Sequence, residues 1–118
     1  MGSLLLAGKA ALFTGEYSEA EGHLRKAVFY APESAEAKRL LASTYLRLGQ
    51  SAAAMTLVRE LLLKGVREPG VLALAGEAHL ANGQVGTAVK FYEQAKALVP
   101  ENTSLQTRLA MIRMAAGE

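Results

Sequence analysis

The chain has 118 residues, 51% hydrophobic and 20% charged, enough apolar material for one packed core and too much for a disordered chain. Its net charge of +2, from 13 basic and 11 acidic residues, gives no reason to expect nucleic acid or an anionic membrane as partner. It has no Cys, which excludes a disulfide framework and a thiolate metal site, and its acids are all Glu, which suits helix interiors where Asp would favour turns.

The first helix is expected from about Ser3 to Thr14, closed by Gly15, a residue that takes the left-handed conformation at low cost. The run Leu4-Leu5-Leu6-Ala7-Gly8 continues into Lys9, not into the Cys of a lipoprotein signal, and it is far shorter than the roughly 20 residues of a membrane span. No direct membrane insertion by this segment is expected. Ser18 with Glu21 three residues on reads as a capping box opening a second helix, which Pro32 stops after Tyr30. Ser34 caps a third helix from Ala35 to Leu48, ended by Gly49, and a fourth runs from Ala52 to Lys64.

The pattern then shifts. Val66 stands where a Pro is expected, Gly65 ends the fourth helix, and Pro69 opens the fifth as a first-turn proline, so this turn should follow a different path from the one at Pro32. The fifth helix reaches Ala81 before Asn82-Gly83, and the sixth covers Gly86 to Val99. Asn102 or Thr103 caps a seventh that runs to Ala116.

These elements recur every 34 residues. Gly15, Gly49, Gly83 and Gly117 keep that spacing, as do Ala20, Ala54 and Ala88, and the small set Gly8, Ala42, Gly76 and Ala110. Pro32 and Pro100 stand two periods apart. Such a period with two helical runs is the signature of a stacked helix–turn–helix solenoid. The glycines at 8 and 76 lie inside helices, where each costs about 1 kcal/mol relative to Ala. Close crossing of two helices repays that cost, with Ala20, Ala27, Ala54, Ala88 and Ala95 as small partners and Leu24, Tyr45, Val58 and Tyr92 filling the space beside them.

At these residues the chain resembles the tetratricopeptide repeat family, whose pattern is W-x2-L-G-x2-Y, A-x3-F, P. The best match falls on Leu72, Ala75, Gly76, His79, Ala88, Tyr92 and Pro100, and the poorest is the second repeat, from Lys38 to Val66. The resemblance implies an all-α solenoid of seven helices, three hairpin repeats (1–34, 35–68, 69–102) and a partial one (103–118), in a single domain. Several apolar directions on the first and last helices imply a segment of a longer array, with a homodimer through those helices.

No G-x-S-x-G elbow, phosphate loop or H-E-x-x-H motif is present, and His23 and His79 lie in different repeats. His79 takes the place of a packed Tyr; His23, Arg25-Lys26 and Lys38-Arg39 read as solvated. Glu16, Glu19 and Glu21 favour a helix start through its dipole. The expectation is a protein that is not an enzyme, with no cofactor, metal or catalytic residue.

In the family the first helix of each pair lines a concave groove. That carries over to the rows Leu6, Leu40, Leu74, Arg108 and Leu12, Leu46, Leu80, Met114, with Lys9, Arg39, Ser43, Arg47 and Glu77 between them and Phe13 alongside. An apolar floor with scattered charges suits a helix or an extended peptide, so the expected partner is a protein or peptide. The alternative is that part of the leucine set packs between repeats in a purely structural or self-associating segment. The groove positions that grip a chaperone's C-terminal carboxylate hold Leu5, Lys9, Leu40, Gly70 and Leu74, of which only Lys9 is basic, so no such clamp is implied. An RNA-binding helical repeat is the other alternative. The leucine rows oppose it, and a salt-titrated RNA shift assay would test it.

The runs VLALAGEAHL (71–80) and RLAMIRMAAGE (108–118) also resemble repeat lipoproteins of bacterial PEP-CTERM/exosortase loci, which are linked to exopolysaccharide assembly and surface-protein sorting. That resemblance implies the cell envelope or periplasm; without it the cytoplasm is expected.

Overall fold

The computed structural model describes residues 2–117; Met1 and Glu118, the outermost residues of the first and last repeats, lie outside the described residues. Seven helices follow one another: α1 Gly2–Phe13, α2 Tyr17–Tyr30, α3 Ala35–Arg47, α4 Ser51–Leu63, α5 Pro69–Ala81, α6 Val85–Leu98 and α7 Thr103–Ala115. There is no strand among the described residues. The fold is the expected all-α repeat solenoid, with each helix end within a residue or so of its expected place.

The exception in kind is the start of α2. It begins at Tyr17 with Glu16 at the cap and no side-chain cap hydrogen bond, so Ser18 and Glu21 do not form a capping box. The cause is the turn before it. Gly15 has φ +80°, its N–H donates to the Leu12 carbonyl at 3.2 Å, and the Glu16 N–H donates to the Ala11 carbonyl at 2.8 Å. This is a Schellman closure, and it places the residue after the glycine directly at the next helix's cap. Gln50 and Gln84 occupy the same place behind Gly49 and Gly83, donating to Tyr45 and His79.

The turns from α2 to α3 and from α6 to α7 use Pro32 and Pro100. They end on true side-chain caps: Ser34 Oγ accepts from Ala37 N at 3.2 Å and Asn102 Oδ1 accepts from Leu105 N at 3.1 Å. The turn after α4 differs, as expected. Gly65 and Val66 close a Schellman motif onto Leu62 and Leu61, and Pro69 opens α5 with no side-chain cap before it. At this departure the chain divides into two compact units, one ending at Val66 and the other beginning at Arg67.

In the first unit α1 packs on α2, α2 on α3 and α3 on α4. Ala20, Leu24, Ala27, Ala37, Ala42, Ala54 and Val58 are fully or almost fully buried there. In the second unit α5 packs on α6 and α6 on α7, around Val71, Leu72, Ala75, Ala88, Tyr92 and Ala95. Burying a side chain such as Leu24 or Leu72 stabilises by roughly 1.5–3 kcal/mol, which holds helices too short to persist alone.

The crossings are tighter than small-on-small packing. A Cβ on Gly8 would lie 2.5 Å from Leu24 Cδ2, and one on Gly76 would lie 2.8 Å from two ring carbons of Tyr92. The large side chain itself rests on the bare backbone. At the same register α3 carries Ala42 and α4 the shorter Val58, both buried. An added methyl on one helix goes with a smaller side chain on the other, which keeps the volume filled.

Lys38 corrects the expectation of a solvated face. It is 7% exposed, and its ammonium reaches Glu60 at 3.0 Å across α3 and α4. It occupies the register of Leu4 and Leu72, and its methylene stem packs where their side chains would, with the charge led out to a half-exposed carboxylate. His23 is half-buried. His79 is half-buried, stacks on Phe91 with ring centroids 5.3 Å apart, and shares a 2.6 Å hydrogen bond with Gln84.

Candidate functional site

In the first unit, α1 and α3 carry nine of the sequence-predicted groove residues. Lys9 Nζ meets Glu36 Oε2 at 2.7 Å, an ion pair that ties α1 to α3 at the surface. The hydrogen bond from Lys9 holds the Glu36 carboxyl below its ordinary pKa, with further help from the charges of Lys9 and Arg39. Leu12 and Leu40 pack against the cluster of Ala11, Ala20, Leu24 and Leu41. Leu6 and Phe13 point to solvent, 68% and 93% exposed. Arg39, Ser43 and Leu46 are half-buried, and Arg47 is exposed.

The second unit brings three predicted residues together and removes a fourth. Leu74 is 7% exposed and belongs to the core. Glu77, Leu80 and Arg108 line one cleft of about 220 Å3 between α5 and α7, with Tyr92 of α6 in its lining and Met111 and Ile112 on the α7 side. Arg108 Nη1 lies 3.4 Å from Glu77 Oε1. The guanidinium pKa is raised, first by its hydrogen bond to Tyr92 and then by the charges of Tyr92 and Glu77. The chain of causes is local. Bare backbone at Gly76 admits the Tyr92 ring, the seated ring engages Arg108, and Arg108 stands charged between apolar walls.

The sequence pattern places Tyr92 in the core and Met111 and Ile112 on an unfinished end. The 34-residue register held a signal for Met111, which continues Lys9, Ser43 and Glu77 as an apolar fourth member. Nothing local marks Ile112, which is buried between helices. The cleft combines an apolar pocket with one fixed cation, an arrangement for binding. No group of three or more His, Cys, Asp or Glu that could hold a metal ion occurs among the described residues, and no helix among them is long and apolar enough to cross a membrane.

A tetratricopeptide repeat family model matches residues 5–69. No curated protein matches the chain. Among solved structures, the first tetratricopeptide domain of human RPAP3 is 24% identical and superposes with a TM-score of 0.87 over 97% of this chain and 90% of that one. The first such domain of Spaghetti (RPAP3), bound to an HSP90 peptide, is 24% identical, with a TM-score of 0.88 over 98% of this chain and 92% of that one. A thermophilic repeat protein of Thermus thermophilus is 23% identical, with a TM-score of 0.90 over 99% of this chain and 66% of that one.

Proposed function

The chain belongs to the tetratricopeptide repeat family, and from that premise we propose that it is a non-enzymatic interaction scaffold that holds a peptide or helix of a protein partner. The observation that supports this most is the cleft of Leu80, Met111 and Ile112 around Arg108. An apolar side chain of the ligand enters the pocket, and an acidic group next to it meets the guanidinium, which Tyr92 and Glu77 hold in place. That a domain of this fold holds an HSP90 peptide supports a peptide ligand here. The ligand differs from a carboxylate-clamped tail, because among Leu5, Lys9, Leu40, Gly70 and Leu74 only Lys9 offers a cation.

In this proposal the repeats 1–34, 35–68 and 69–102 and the partial repeat 103–118 belong to one domain. Its place is a bacterial exopolysaccharide or surface-protein sorting assembly, for which the resemblance of 71–80 and 108–118 is the support.

A displayed peptide library tests the ligand. The chain should select sequences with a bulky apolar residue beside an acidic one. Arg108→Glu should abolish the acidic preference, and Leu80→Glu should weaken binding at least about tenfold, the loss of about 1.4 kcal/mol. Selection unchanged in both variants would remove the cleft from consideration. Leu74→Glu is unsuitable, since it would bury a charge and report on stability.

A further inference from the structure

We propose that the outer face of α2 pairs with the same face of a second copy of this chain, antiparallel about a two-fold axis through Gly22. The face is exposed from end to end and has an open hollow of about 460 Å3 over Gly22, bounded by Arg25, Lys26, Phe29 and Tyr30. Phe29 and Tyr30 are 78% and 69% exposed, an edge-to-face pair with centroids 5.3 Å apart and no cover. These two rings are the apolar part of the proposed contact surface.

The partner is identified by the order of side chains along the helix. In a two-fold antiparallel pair, a residue a given number of positions before the axis faces the residue the same number after it. Glu19 stands three before Gly22 and Arg25 three after, so two equal ion pairs form across the axis. Ser18 and Lys26 stand four before and four after, a small residue opposite a long one. Phe29, seven after, reaches past the start of the partner's α2 toward its preceding turn, where Gly15 has nothing within 4 Å of a side-chain position. Gly22 itself has nothing within 4 Å of a side-chain position, so two backbones can approach closely on the axis. Ser18, Glu19, Gly22, Arg25, Lys26 and Phe29 share one stripe of α2, at spacings of three and four.

The charges are available for this. Glu19 and Lys26 make no ion pair among the described residues, and Arg25 touches Glu21 only at 3.8 Å while its side chain stays 66% exposed. A single pair of helices of this length buries less than the roughly 1,200 Å2 of a standard interface, so the dimer is weak and forms at high protein concentration.

Sedimentation of the whole chain up to about 1 mM, at low and high salt, tests the pairing. The wild type should dimerise and weaken with salt. Glu19→Arg and Arg25→Glu, each on an exposed side chain and checked for unchanged circular dichroism, should each reduce association at least about tenfold. The double variant Glu19→Arg/Arg25→Glu should restore it, because the ion pairs re-form with their signs exchanged. A wild type that stays monomeric, single variants that dimerise like the wild type, or a double variant that does not recover would each overturn the proposal. Pairing through α1 or α7 would appear as the second of these results.

Discussion

Gly76 lies against the ring of Tyr92 at the α5–α6 crossing, so close that a Cβ there would stand 2.8 Å from two ring carbons. Gly76→Ala would gain about 1 kcal/mol of helix propensity. It would lose more by displacing a ring that is fully buried and held by Arg108. The expected net cost is about 1–3 kcal/mol, read from thermal melts. Gly22→Ala is the contrast: it sits inside α2 with nothing near its side-chain position, and should stabilise by about 0.4–1 kcal/mol.

Ala88 of α6 is fully buried. Ala88→Leu should overpack the core of the second unit and cost about 1–3 kcal/mol. A melting temperature equal to that of the wild type would mean that the backbone there has room to move.

Lys38 and Glu60 behave asymmetrically because only the lysine is buried, at 9% side-chain exposure against 47%. Lys38→Leu restores the side chain that Leu4 and Leu72 supply at this register, and should be neutral or stabilising by about 1 kcal/mol. Glu60→Ala leaves the ammonium without its partner and should cost about 1–3 kcal/mol. Denaturant midpoints of the two variants should move in opposite directions or only the second should move.

The Lys9–Glu36 pair gives the first unit a small pH dependence. The folded carboxyl has a pKa below its ordinary value of 4.5, so its contribution is present above that value and disappears as pH falls through the lowered one. A carbon-detected NMR titration should place Glu36 below 4.5, and Lys9→Met should return it toward that value. A titration midpoint unaffected by Lys9→Met would show that the pair does not persist in solution.

The seven helices, the glycine turns and the positions of the two glycine crossings are legible in the sequence. The reason is that these depend on short-range terms that repeat every 34 residues. Gly15, Gly49, Gly83 and Gly117 all take φ between +77° and +83°, and Ser34 and Asn102 both cap as their residue types require. A residue's role that depends on a neighbour from another helix is not legible there and emerges from the packing. The leucine row is one spacing but several environments: Leu6 is open, Leu40 packs on the α1–α2–α3 core, Leu74 is buried, and Arg108 stands charged on Tyr92. Lys38 was legible as a charge but not as a buried one, because its burial depends on Glu60, 22 residues away on the next helix. Ser18 failed as a cap because the Schellman closure before it had already set the start of α2. Periodicity specifies which face a side chain occupies; what that face meets is set by the particular volumes and charges packed against it.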